Sequence, residues 1–208
     1  NSERSVQLFT TTRPKSSLQT TGALDYIIEG ESLNYHKGSS TKTRNPWYKI
    51  RLLEPAPLLW MEIMGKSHRV FLNDANIRHS DKFYGIYITD QKVDHVKLNI
   101  WLNSTPIILH KLLTSFNSLG AGALKTPVYG VEDIPVPDLS EIEFDEEAYA
   151  EFISREIKSV DEEMNMEDRI RLEAPLMNLL GIDEEAQAIM RAHVASMIQD
   201  RTKKAESV

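Results

Sequence analysis

The apolar positions change period along the chain. Residues 1–20 are rich in Ser, Thr, Arg and Lys and poor in apolar residues, so they read as an extended arm or loop. Leu24, Ile27, Ile28 and Leu33 recur at helical spacing and predict a short helix over 22–33, interrupted at Gly30. Residues 34–46 are polar and basic and read as loop. From Trp47 the apolar runs become short and aromatic or β-branched: WYKIRLL (47–53), PLLWMEIM (57–64), HRVFLN (68–73) and FYGIYIT (83–89). Pro55, Pro57, Gly65-Lys66, Asn73-Asp74 and Ser80-Asp81 punctuate them, which predicts about four strands joined by turns.

At Val93 the period turns helical. Val93, Val96, Leu98, Ile100, Trp101 and Leu102 predict a mostly buried helix. Ile108, Leu109, Leu112, Leu113 and Phe116 predict a second, opening near Pro106 and closing at Gly120. Residues 123–130 read as one more strand, and 134–139 as extended, because each Pro biases its predecessor away from helix. Beyond Ser140 the pattern is helical throughout. Ser140 and Glu143 have the spacing of a capping box. Tyr149, Phe152, Ile153, Ile157 and Val160 make one stripe; Ile170, Leu172, Leu176, Leu179 and Leu180 make another, stopped by Gly181. Asp183 caps a last helix lined by Ala186, Ile189, Met190, Val194 and Met197. The expected class is α+β: a small, mostly antiparallel sheet with packed helices over 1–140, followed by a helical segment over 141–208.

Composition excludes several classes. A chain of 208 residues suits one large domain or two small ones. With 41% hydrophobic and 26% charged residues it is not a collagen, a rod or a wholly disordered tail. No run approaches the roughly 18 apolar residues that span a bilayer. The absence of cysteine removes disulfide scaffolds, thiol enzymes and thiolate metal sites, and fits a cytoplasmic location. The chain opens Asn-Ser without a Met or a signal peptide, which reads as a piece of a longer protein.

The net charge of -7 hides a split. Residues 1–130 carry 16 Lys and Arg against 10 Asp and Glu, a balance of +6; residues 131–208 carry 8 against 21, a balance of -13. The first part tolerates a polyanion. The second opposes one, or serves solubility alone.

Much familiar chemistry is missing. There is no HExxH, P-loop or GxSxG motif. His36, His68, His79, His95, His110 and His193 are scattered, with no pair at i, i+4, and read as structural or surface residues rather than metal ligands. Gly120-Ala121-Gly122 lacks the third glycine of a dinucleotide loop and follows a predicted helix instead of a strand. The carboxylates after residue 141 read as solvated helical faces. Asn45-Pro46-Trp47-Tyr48 nearly matches the Asn-Pro-Pro-Tyr motif of amino methyltransferases, but Trp stands third, and the 44 preceding residues are polar and hold no Gly-rich cofactor strand. No catalytic residue is assigned.

The order of motifs resembles the C-terminal target-recognition part of adenine-N6 DNA methyltransferases of the restriction-modification kind. YIIEGE (26–31), RNPWYKI (44–50), PAPLLWMEIMGK (55–66), HRVFLNDANI (68–77), WLNST (101–105), GAGALKTPVYGVEDIPVPDL (120–139) and RIRLEAPLMNLLGI (169–182) carry the resemblance. It implies a module that binds double-stranded DNA and positions it for a catalytic domain absent from this chain. It also implies S-adenosylmethionine in the parent enzyme, with no cofactor held here. Implied partners are that catalytic domain and a restriction subunit, with no membrane.

Such a module needs cations for phosphates and polar side chains for base edges. The candidates are Lys37, Lys42, Arg44, Tyr48, Lys49 and Arg51; Lys66 and Arg69; Asn73, Asn76, Arg78 and His79; and Gly120, Gly122 and Lys125, the glycines for close backbone approach. Trp47 and Trp60 read as core aromatics. Two alternatives stand beside this reading: an interaction module whose acidic helices dock a restriction or translocation subunit, and an enzyme using Asn45 to Tyr48 with nearby carboxylates.

Overall fold

The structure, a computed structural model, describes residues 8–116 and 123–206. The chain divides into two compact units, Asn1–Leu53 and Glu54–Val208.

In the first unit, helix α1 runs Gly22–Ser32 without the break expected at Gly30. Glycine serves there as space: a Cβ on Gly30 would stand 2.7 Å from Cη2 of Trp47. The Leu33 N–H donates to the Glu29 carbonyl, and Asn34 takes a left-handed φ of 62°, which asparagine tolerates, turning the chain into a 3-10 turn at Tyr35–Lys37. The segment 47–53, expected as a strand, is irregular. Tyr48 is buried with Leu18 and Ile27, and Trp47 packs against them. Its side chains wrap α1, and among the described residues this unit offers no strand to pair with.

In the second unit, β1 (Leu58–Met61) is the centre of a three-stranded antiparallel sheet, flanked by β3 (Val70–Leu72) and β4 (Phe83–Ile86). Trp60 lies opposite Val70 on one side and Tyr84 on the other. β2 (Ile63–Met64) leaves that sheet to pair with β5 (Leu124–Lys125). The rest of the expected strand at 123–130 becomes helix α4, Val128–Glu132, after Pro127.

Helix α2 (His95–Asn103) opens on Asp94, whose carboxylate accepts the Lys97 N–H at 2.8 Å. Helix α3 is Thr105–Thr114, with Pro106 in its first turn. It stops short of the expected end because Phe116 exchanges backbone hydrogen bonds with Lys125 instead. Gly120 and Gly122 lie outside the described residues.

The expected capping box at Ser140 and Glu143 does not form. The Ser140 N–H is taken by Asp138 and its carbonyl by Lys97, and the Ile142 N–H donates to the Leu139 carbonyl, so a turn stands at Ser140 and Glu141 where the helix start was expected. Helix α5 (Glu146–Ser154) starts instead on Asp145. A capping box does form between Ser159 and Glu162, opening α6 (Val160–Glu163). The predicted stripe 149–160 is thus shared by two short helices. Helix α7 spans Glu167–Leu179, and Gly181, at φ +67°, turns the chain towards Asp183 and α8 (Glu184–Glu206).

Two apolar cores hold this unit together. Leu58, Trp60 and Val70 pack with Leu98, Trp101, Phe152, Leu172 and Leu176. Met64, Ile108 and Leu124 pack with Val160, Met164, Val194 and Ile198. Helices beyond residue 140 therefore share both cores with the strands. Asn99 and Asn103 are buried and clamp the backbone of Val70: Asn103 accepts its N–H at 2.8 Å, and both amides donate to its carbonyl at 2.9 Å. No helix among the described residues is long and apolar enough to cross a membrane.

Candidate nucleic-acid interface

In the first unit the two motifs YIIEGE and RNPWYKI meet. The Trp47 indole N–H donates to Glu31 at 2.9 Å, and the ring lies over Gly30. Glu31 also pairs with Lys15; these hydrogen bonds hold its carboxyl below the usual range. Tyr48 was a candidate DNA contact, but its ring is buried at 6% exposure and its hydroxyl donates to the Arg13 carbonyl at 2.8 Å. It is a core residue with no face open to a base. The same burial removes it as the stacking aromatic of a catalytic Asn45-to-Tyr48 motif.

The cations around it differ. Lys37, Lys42, Arg44, Lys49 and Arg51 are all exposed. None of their side chains has a hydrogen-bond or ion-pair partner among the described residues. No acidic residue occurs between Glu31 and Glu54. The segment therefore carries five exposed cations and no carboxylate of its own.

The second unit treats its candidates unequally. Lys66, Asn76 and Arg78 are exposed, Arg78 lying 3.4 Å from Glu54. Lys125 pairs with Glu62 at 2.8 Å, a contact that raises its pKa. Asn73 is used internally: its amide donates to the Ala56 and Ile77 carbonyls and its oxygen accepts the Ile77 N–H. His79 leans over Gly85, where a Cβ would stand 2.6 Å from its Nε2.

Arg69 is corrected from a surface contact to a core residue. Its Nη1 donates to the Phe152 carbonyl at 3.0 Å, its guanidinium covers the Phe152 ring, and Glu163 lies 3.7 Å away. At 5% exposure it cannot meet a phosphate. The carboxylates expected on solvated faces are partly corrected too. Glu163, Asp168 and Glu173 are buried. Glu163 receives Arg155 at 2.7 and 2.9 Å, and Asp168 receives the Arg155 Nε at 2.6 Å. Arg169 pairs with Glu173 at 2.9 Å. Burial alone would raise the Glu163 carboxyl; the Arg155 and Lys158 hydrogen bonds and the Arg169 charge outweigh it and hold it low. This cluster neutralises charge inside the protein and presents none of it to a ligand.

Sequence reasoning missed two features. Lys111 is fully buried, donating to the Met61 carbonyl at 2.9 Å above the Trp60 ring, and burial pulls its pKa down to about 7. Nothing in its helical spacing distinguishes it from a surface lysine. The other is a cavity of about 390 Å³ in the first unit, walled by Tyr26, Trp47 and Tyr35, with Arg44 on its lining. The aromatic content of 26–48 was the available signal.

The family described as Type II methyltransferase M.Eco57I, C-terminal domain, matches residues 1–172. The Type II methyltransferase M.AccI of Acinetobacter calcoaceticus is 32% identical over 76 residues, a stretch covering 36% of this chain and 14% of that protein. No solved structure matches the chain. The class is therefore the C-terminal region of a methyltransferase, in an α+β fold. The chain belongs to the family of the M.Eco57I C-terminal domain.

Proposed function

We propose that this chain is the duplex-DNA recognition module of an adenine-N6 methyltransferase in a restriction-modification system. The observation that carries the reading is the strip Lys37, Lys42, Arg44, Lys49 and Arg51: exposed, unpaired among the described residues, and uninterrupted by any carboxylate. Exposed, unpaired cations suit a phosphate backbone, since each contact releases condensed counterions. Exposed Lys66, Asn76 and Arg78 supply further polar and cationic groups in the second unit. Arg and Asn are the side chains that bond guanine and adenine in a bidentate way.

Methyl transfer itself belongs, in this reading, to a catalytic domain elsewhere in the parent protein, which binds S-adenosylmethionine. No residue of this chain is assigned to that cofactor. The catalytic domain and a restriction subunit are the expected protein partners.

Selection of bound duplexes from a randomised pool, at low and near-physiological salt, tests the reading. Enrichment of one short motif that survives the higher salt is expected. Enrichment of nothing, with binding lost on adding salt, overturns autonomous sequence recognition by this chain. Alanine at all five cations of the strip abolishes retention; retention unchanged by that variant removes the strip from the interface.

A further inference from the structure

The aromatic cavity of the first unit has no role in the backbone contacts proposed above. Its volume, about 390 Å³, suits a small planar ligand. Tyr26 and Tyr35 stand on its rim with 58% and 60% of their surface exposed. Tyr35 has no ring partner among the described residues. Trp47, also on the lining, is fixed: it is tied to Glu31 at 2.9 Å and braced edge-on by Tyr48. Gly30 makes the room, because a Cβ there would press on Trp47 at 2.7 Å and meet Tyr35 at 3.5 Å.

Two charged residues line the cavity and decide what enters. Glu29 disfavours a phosphate inside. Arg44 belongs both to the cavity and to the positive strip, so a strand following the strip passes the cavity mouth. A neutral planar group attached to an anionic backbone meets both conditions. We infer that this cavity takes one unstacked nucleobase of a strand whose phosphates lie on the Lys37-to-Arg51 strip. The inference rests on the DNA-binding reading above. Aromatic rings accept any base by stacking, and Arg adds cation–π attraction.

The test compares an oligo-dA strand with a wholly abasic strand of equal length and charge, titrated against the full chain beside a duplex control. The base-bearing strand is expected to bind about tenfold more tightly, as one stacked base allows. Tyr35→Ala and Tyr26→Ala abolish that preference without changing the salt dependence, while Tyr35→Trp keeps it. Both tyrosines are exposed, and circular dichroism checks that the variants fold. Equal affinity for the two strands, or a preference that survives both alanine variants, overturns the base pocket while salt-dependent duplex binding leaves the wider reading intact. Failure to bind either strand or the duplex removes both.

Discussion

The indole of Trp47 and the carboxylate of Glu31 are joined by a 2.9 Å hydrogen bond between residues 16 positions apart. That bond, with the Gly30 contact, fixes the loop of 38–53 against α1. Glu31→Ala removes one partner of a half-buried N–H and is expected to cost about 1 kcal/mol in chemical denaturation. Gly30→Ala adds a methyl group where 2.7 Å is available. Overpacking costs about 1–3 kcal/mol, against about 1 kcal/mol regained in helix propensity. A Gly30→Ala protein more stable than the parent, with unchanged near-ultraviolet circular dichroism, contradicts the packing described.

Removing a phosphate contact lowers the slope of log affinity against log salt by about 0.9. Lys42→Ala and Arg44→Ala are each expected to weaken DNA binding and flatten that slope, whereas Lys92→Ala, outside the strip, leaves it unchanged. Arg69→Ala is expected to lose stability instead, since its guanidinium is enclosed by Phe152 and Glu163. Fluorescence anisotropy across a salt series separates these outcomes.

Glu163 sits among Arg155, Arg69 and Arg169 at 1% exposure. Glu163→Ala leaves the buried guanidinium groups of Arg69 and Arg169 and the partly buried one of Arg155 short of a counter-charge, and breaking such a cluster costs about 3–5 kcal/mol. The carboxyl is held below its ordinary value. Its contribution is therefore complete above the ordinary glutamate value and lost as pH falls through the lower, folded-state value. Urea denaturation at descending pH checks the sign: Glu163→Gln should show a shallower loss of stability on acidification than the parent.

Lys111 predicts the opposite end of the pH scale. Burial lowers its pKa to about 7, so above that value the folded chain holds the neutral amine while the unfolded chain still binds a proton. Stability rises with pH between about 7 and the ordinary lysine value, by up to about 1.4 kcal/mol per pH unit. Lys111→Met should flatten that rise. Denaturation midpoints at neutral and alkaline pH are enough to see it.

The helices and the sheet were largely legible because they obey simple periods. Asp183 and Gly181 marked their termini correctly, and Trp60 was rightly placed in a core. The failures have physical causes. Segment 47–53 has the texture of a strand, but strand formation needs a neighbour, and sequence texture does not supply one. Arg69 follows a turn, which suggested a surface, while its long side chain reaches back over Phe152. Tyr48 stands in a cationic run yet points into the core with Leu18 and Ile27. Charge pattern locates a segment at the surface; it does not tell which of its side chains turn inward.

The family match stops at residue 172, inside α7, whereas Val194 and Ile198 of α8 close the core over Met64, Ile108 and Leu124. The end of the matched stretch is thus not the end of the packed core. A copy trimmed to residues 1–172 would cut a helix in half and leave part of a hydrophobic core facing water. Any transplant of this module into another enzyme has to carry the final helix along, though that helix lies outside the matched stretch.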